Sequence, residues 1–215
     1  MNSQALATVK RIADSTVRRL SLYLRFLEDF EQRGLETISS DELAQRGGTT
    51  SAQVRKDLSF FGSFGKRGLG YSVPELSRQI REIMGLGRQW RVIIVGAGKI
   101  GAALAQYHGF FQRGFHIVAV YDSSPEKVGR AWGSHAIRDI RHLERDTGSE
   151  RPDIAILTVP SEAAQATLDR IVKAGIKAVL NFAPVQLHAP ADVTLRTVNM
   201  AMELEGLSFA LTNRE

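Results

Sequence analysis

Residues 91–95, Arg-Val-Ile-Ile-Val, run directly into Gly96-Ala97-Gly98-Lys99-Ile100-Gly101, and that junction restricts the fold of everything around it. An apolar strand, a G-x-G-x-x-G turn and then a helix open a dinucleotide-binding βαβ unit. The glycines have separate tasks: Gly96 permits the tight turn, Gly98 lets backbone approach a pyrophosphate, and Gly101 lets helix and strand pack closely. Free N–H groups at the helix start attract the phosphates. The motif alone is weak, but its context agrees. A helix is expected from Ile100 to about His108, a second strand over 115–121, and Asp122 lies 21 residues past Gly101. Asp122 is expected to accept hydrogen bonds from adenosine ribose hydroxyls. Ser123 and Ser124 supply no arginine for a 2′-phosphate, which favours NAD(H) over NADP(H).

Further apolar runs at 153–159, 176–180 and 193–198 alternate with helices, notably 161–174. That alternation predicts a doubly wound parallel sheet of the Rossmann type over 89–198, covered on both faces. Ligands of such sheets lie at the carboxyl ends of the strands, so Thr158, Val159 and Pro160, with Asn181, Phe182 and Ala183, are expected to border the cofactor. Adenosine and pyrophosphate are common to NAD+ and NADH, so redox state is readable only at the nicotinamide. An apolar pocket around Val159, Phe182 and Ala183 would penalise the cationic ring. Residues 199–215 remain, and Met202, Leu204, Leu207 and Phe209 are more apolar surface than one exposed helix would hide. This segment is expected to dock on a partner subunit. The chain leaves no room for a substrate domain, and no Tyr-x-x-x-Lys pair or other positioned acid/base is visible. A binding protein is therefore expected rather than an enzyme.

The front of the chain, 1–88, reads as a winged helix-turn-helix. Leu20, Tyr23, Leu24, Leu27 and Phe30 form a helical stripe. Ser39 with Glu42 makes a capping box, Gly47-Gly48-Thr49 breaks the short helix, and Thr50 with Gln53 reads as a second box. On that third helix Val54, Leu58 and Phe61 point inward, while Arg55, Lys56, Ala52 and Ser59 lie on the other side. Small residues let a helix approach a major groove, and the cations neutralise phosphate or reach guanine edges. The same charges would also suit a merely solvated face. Residues 61–71 carry four glycines around a Lys66-Arg67 tip, the pattern of a two-stranded wing whose cations fit a minor groove. Residues 1–88 hold 14 Lys and Arg against 10 Asp and Glu, so the net charge of +5 is concentrated in this half.

The chain contains no cysteine. Disulfides, thiolate metal sites and thiol redox sensing are excluded, so any redox response must come through a bound cofactor. The five histidines show no ligand spacing and no metal is expected. No stretch approaches the roughly 18 apolar residues of a spanning helix, so no membrane partner and a cytoplasmic location are expected.

Five segments, 51–59, 64–71, 95–98, 157–160 and 181–185, taken together resemble the bacterial redox-sensing repressor family called Rex. The resemblance implies a homodimer that binds double-stranded palindromic operator DNA when NADH is low and leaves it when NADH binds. It also implies a C-terminal helix exchanged between subunits and inserted between the partner's two domains. Arg55-Lys56 match the family's recognition pair and Lys66-Arg67 its wing cations. Ser51, Gln53, Ser59, Gly68 and Tyr71 complete the expected DNA face. Asp122 matches the ribose carboxylate, Tyr107 a tyrosine near the nicotinamide, and Arg25 an arginine of the first helix. Family members commonly carry an aspartate that can pair with that arginine before the last helix. This chain reads Val198-Asn199-Met200 there, where an amide can hydrogen-bond but cannot form an ion pair. Two other readings of the residues stay open: a small NAD-dependent oxidoreductase with N-terminal dimerisation helices, and a CoA-binding domain, against which Asp122 argues.

Overall fold

In a computed structural model, which describes residues 12–65, 69–133 and 135–213, the chain divides between Arg88 and Gln89 into two units. The first is built on α1 (Asp14–Gln32), whose apolar stripe Leu20, Tyr23, Leu24 and Leu27 is buried. A short strand β1 (Thr37–Ile38) leads into α2 (Ser40–Gly47). The capping box there is reciprocal: Ser39 Oγ accepts from Glu42 N at 3.2 Å and Glu42 Oε2 accepts from Ser39 N at 2.8 Å. After the turn at Gly48 comes α3 (Ser51–Ser59), where Thr50 Oγ1 accepts from Gln53 N. The second half of that expected box is missing, because the Gln53 amide turns to Asp57 instead.

Strand β2 (Tyr71–Ser72) pairs antiparallel with β1, Tyr71 opposite Ile38. Among the described residues β2 pairs with the segment before α2, and 61–65 form no strand of the expected hairpin. Lys66, Arg67 and Gly68 lie outside the described residues. Helix α4 (Val73–Ile83) carries Pro74 in its first turn, where the missing N–H costs nothing, and buries Leu76 and Ile80 against α1's stripe. Each fully buried Leu or Ile contributes about 1.5–3 kcal/mol, so this stripe is the principal support of the unit.

The second unit is a seven-stranded sheet. Its elements in chain order are β3 (Trp90–Val95), α5 (Lys99–Ala105), α6 (His108–Gln112), β4 (Phe115–Asp122), β5 (Ala131–Trp132), β6 (His135–Asp139), α7 (Leu143–Glu150), β7 (Ile154–Leu157), α8 (Ser161–Lys173), β8 (Ala178–Asn181), β9 (Thr194–Thr197) and α9 (Met200–Thr212). The spatial order is β5-β6-β4-β3-β7-β8-β9, parallel throughout except for β5 at one edge. One face (Ile93, Val95, Tyr121) shares a core with Leu143, Leu168 and Ile171 of α7 and α8. The other (Val92, Ile94, Val120) packs with Leu104 and Phe110 of α5 and α6. Burial on both faces explains the unbroken apolar runs.

The helix after the glycine turn stops at Ala105 rather than continuing to His108. Tyr107 is extended (ψ 100°) and starts α6. Its ring folds over Gly109, within 2.6 Å of where a Cβ would stand. The final helix, α9, has no buried residue: Met200, Met202, Leu204, Leu207, Phe209 and Leu211 are all more than 60% exposed.

Candidate functional site

The order of the strands reverses between β4, β3 and β7, and a ligand cleft belongs at such a point. A cleft of about 890 Å³ opens there, lined by Gly96, Gly98, Lys99 and Ile100, by Asp122, Ser124 and Lys127, by Thr158, Val159 and Pro160, and by Phe182 and Pro184. Gly96 has φ +111°, and a Cβ on it would stand 2.6 Å from the Thr158 carbonyl oxygen. The Thr158 hydroxyl closes the same contact by donating to Gly96 O at 2.8 Å. Gly101 lies in the first turn of α5, where a Cβ would stand 2.2 Å from Gly96 O. Glycine is required at both positions for the helix to start this close to the strand end.

Asp122 is nearly buried at the end of β4. Its Oδ2 accepts from Ala97 N at 2.7 Å and from Lys127 Nζ at 3.1 Å, and its Oδ1 accepts from Ser124 N at 2.8 Å. Burial alone would push this carboxyl up, but the Ser124 N–H, the Lys127 ammonium and the Ala97 N–H outweigh it and hold the group below the usual carboxylate value. A fixed anion at this position can accept hydrogen bonds from a ribose diol, and it disfavours a second anion. Lys127 belongs to none of the sequence motifs, and the signal for it is a lysine in the turn five residues after Asp122, close enough to reach that carboxylate.

Three groups of expected cofactor residues are placed differently. Ala97 contributes its backbone N–H to Asp122 rather than lining the cleft. Asn181 is fully buried: its Nδ2 donates to Ala183 O and Val185 O, and its Oδ1 accepts from Ala183 N at 2.8 Å. Asn181 and Ala183 (1% exposed) therefore stand behind the cleft and shape the loop that presents Phe182 and Pro184. Tyr107 is 58% exposed and absent from the cleft wall, because the helix break turns it back over Gly109.

In the first unit, α2 and α3 are joined by a short turn and α3 presents Ala52, Arg55, Lys56 and Ser59 to solvent. Arg55 Nη1 donates to Ser40 Oγ at 2.9 Å, and Ser59 Oγ donates to Lys56 O at 2.8 Å. Ser51 is half-buried at the helix start. Tyr71, expected on the DNA face, is only 8% exposed and belongs to the core, because its pairing with Ile38 turns the ring inward. Gln53 is likewise committed inward, its Nε2 donating to Asp57 at 2.8 Å. Asp57 itself has no exposure. Burial would raise its carboxyl, yet Arg19, Gln53 and Tyr23 hold it below the usual range, while burial and Asp57 together push the Tyr23 hydroxyl up.

Arg25 is exposed on α1. Asn199 caps α9, its Oδ1 accepting from Ala201 N at 3.0 Å and Met202 N at 3.4 Å, and Met200 follows it into solvent. Among the described residues no group of three His, Asp or Glu could hold a metal ion, and no helix is long and apolar enough to cross a membrane.

Comparison with known proteins agrees with this division. Residues 11–59 match a family described as "Putative DNA-binding protein N-terminus", and residues 87–185 match the CoA binding domain family. The redox-sensing transcriptional repressor Rex of Thermus thermophilus is 45% identical over 94% of this chain and 95% of its own. That of Desulfitobacterium hafniense is 43% identical over 95% and 97%. Among solved structures, RSP in complex with β-NAD+ and operator DNA aligns with a TM-score of 0.89 at 38% identity, covering 93% of this chain and 92% of that one. RSP in complex with β-NADH gives 0.85 at 36%, covering 94% of each. A nucleotide cleft and a helix-turn-helix on one chain, with such identity across both, leave one assignment: the protein belongs to the Rex family of redox-sensing transcriptional repressors.

Proposed function

We propose that this protein represses transcription as a homodimer on palindromic operator DNA and is released when NADH occupies the cleft. The observation that carries the reading is the pairing, within one chain, of a helix with an exposed Arg55-Lys56 face and a glycine-turn cleft closed by Asp122. Residues 1–88 read DNA, with the wing cations Lys66 and Arg67 added to α3. Residues 89–198 hold NAD+ or NADH. Residues 199–215 join the subunits. Support for the last role comes from α9, where Met200, Leu204, Leu207 and Leu211 recur at helical spacing on one side and Met202 with Phe209 lie opposite. A helix apolar on two sides needs two surfaces, and its own chain covers neither.

The glycine turn and Asp122 hold the half of the cofactor that both redox forms share. Val159 and Phe182, with Pro184 where Ala183 was expected, give the cleft an apolar region that disfavours the NAD+ ring. Two recognition helices of a dimer meet successive major grooves about 34 Å apart, and a ligand that changes this spacing weakens DNA binding. Such a protein does no chemistry on its ligand and works in the cytoplasm, where the chromosome is. The match to the CoA binding domain follows the shared strand and glycine turn, whereas Asp122 suits a dinucleotide ribose. The test is a duplex carrying the operator, titrated with NADH and with NAD+ separately. Release by NADH at concentrations where NAD+ leaves the complex intact is expected. Release by neither, or turnover of the nucleotide, overturns the reading.

A further inference from the structure

Five hydrogen bonds converge on the Asp57 carboxylate. Oδ1 accepts from Thr16 Oγ1 at 3.2 Å, from Arg19 Nη2 at 2.8 Å and from Gln53 Nε2 at 2.8 Å. Oδ2 accepts from Arg19 Nε at 2.6 Å and from Tyr23 OH at 3.0 Å. Four of the five donors come from α1; the carboxylate and the fifth donor come from α3. Asp57 and Tyr23 have no exposure and Thr16 only 4%, so the carboxylate itself is shielded from water, while Arg19 reaches it from a side chain that is 25% exposed.

The position of Asp57 within α3 gives the network its meaning. At about 100° per residue, Val54 and Leu58 mark the inward direction, Asp57 lies about 60° to one side of Val54, and Lys56 lies nearly opposite Leu58. The apolar anchors hold α3 down, but apolar contact is non-directional and tolerates roll of the helix about its axis. The fork of Arg19 on Asp57 is directional, because two parallel N–H bonds meet both carboxylate oxygens. A helix with its side chains is about 10–12 Å across, so a roll of roughly 20° carries the outer ends of Arg55 and Lys56 by about 2 Å. That displacement exceeds the tolerance of a bidentate contact to a base edge. Contacts to phosphate, made by flexible cationic chains, survive it better.

We propose that Asp57, held by Arg19, Tyr23, Thr16 and Gln53, is a positioning residue for operator recognition: it fixes the roll of α3 and so decides whether Arg55 and Lys56 can read base edges rather than only phosphates. The inference rests on the repressor reading above. Gln53 becomes part of this fixture rather than of the DNA contact.

The experiment uses the full-length protein and two duplexes: one enriched by the wild type from a randomised 20-base-pair pool, and a shuffled duplex of the same composition. Asp57→Asn keeps the shape and removes the charge. Arg19→Lys keeps the charge and removes the fork. For each, affinity for both duplexes is measured across a salt series, together with the melting temperature. The ratio of enriched to shuffled affinity is expected to fall at least tenfold in Asp57→Asn and several-fold in Arg19→Lys, with the slope of binding against salt nearly unchanged. A purely structural role would lower melting temperature and folded fraction but leave the ratio intact in the molecules that remain folded. A retained ratio in Arg19→Lys, which decides the matter if Asp57→Asn does not fold, overturns the proposal and leaves the repressor reading standing. A wild type that enriches no duplex overturns both.

Discussion

Replacing Asp122 with alanine should weaken NADH and NAD+ binding by the same factor. The carboxylate would accept from two hydroxyls of the adenosine ribose, and a hydrogen bond to a charged acceptor contributes about 1.5–3 kcal/mol. Part of that gain is offset in the wild type, since Lys127 and Ala97 N already occupy Oδ2 and must share it with the ligand. A net loss of about 2–3 kcal/mol follows, or roughly 30- to 150-fold in Kd. The loss is common to both redox forms because the adenosine half does not change on reduction. The sign of the pH dependence follows from the depressed carboxyl: the acceptor is fully charged above the ordinary carboxylate range, so wild-type affinity should be flat around neutrality and decline only as pH falls through the lowered value. Removing Asp122 while Lys127 remains leaves a cation facing the ribose, so the preference for NADH over NADPH should narrow. Calorimetry with NADH, NAD+ and NADPH measures all three. A loss below about threefold, or losses that differ tenfold between NADH and NAD+, would refute the assignment of Asp122 to the ribose.

Arg55→Ala and Lys56→Ala should each cost about 1–3 kcal/mol of operator affinity while leaving NADH affinity unchanged, checked by mobility shift beside calorimetry. Gly101→Ala introduces a Cβ 2.2 Å from the Gly96 carbonyl oxygen, so NADH binding should be lost and stability reduced by about 1–3 kcal/mol; an unchanged melting temperature with intact binding would contradict this. Asn199→Asp keeps a side-chain cap for α9 but adds a charge, and should move the NADH concentration for half release from operator; an identical release curve would show that position 199 takes no part. Leu207→Asp with Phe209→Asp, one on each apolar side of α9, should convert dimer to monomer in light scattering, whereas a dimer of unchanged mass would show that the subunits associate elsewhere.

The sheet was legible because parallel strands buried on both faces are unbroken apolar runs, and the glycine turn announced the strand-to-helix junction. β6 was not legible: His135-Ala-Ile-Arg-Asp139 is short, and Ile137 is its one large apolar residue. The first three helices declared themselves through stripe and caps, but Thr50-Gln53 looked like a second capping box only because the sequence does not reveal that Gln53 has a better acceptor one helical turn on. Asp57 went unread for the same reason. A lone aspartate on a basic helix looks solvated until α1 brings Thr16, Arg19 and Tyr23 to it across 34 to 41 residues of chain. At the cleft, Gly96 and Gly98 line the wall as the motif's spacing leads one to expect, whereas Asn181, expected to border the cofactor, supports the loop behind it, and the two kinds of asparagine look alike in sequence.

The nakedness of α9 on its own chain reaches beyond architecture into dosage. If a subunit's last helix is completed only by another copy, part of each subunit's stability depends on how much of the protein is present, and dilution should loosen the C-terminal end first. A truncated chain lacking residues 200–215 would still offer a receiving surface while giving nothing back. Expressed beside the full-length protein, it should draw intact subunits into mixed pairs that are half-completed, so that a minority of shortened chains impairs repression out of proportion to its number.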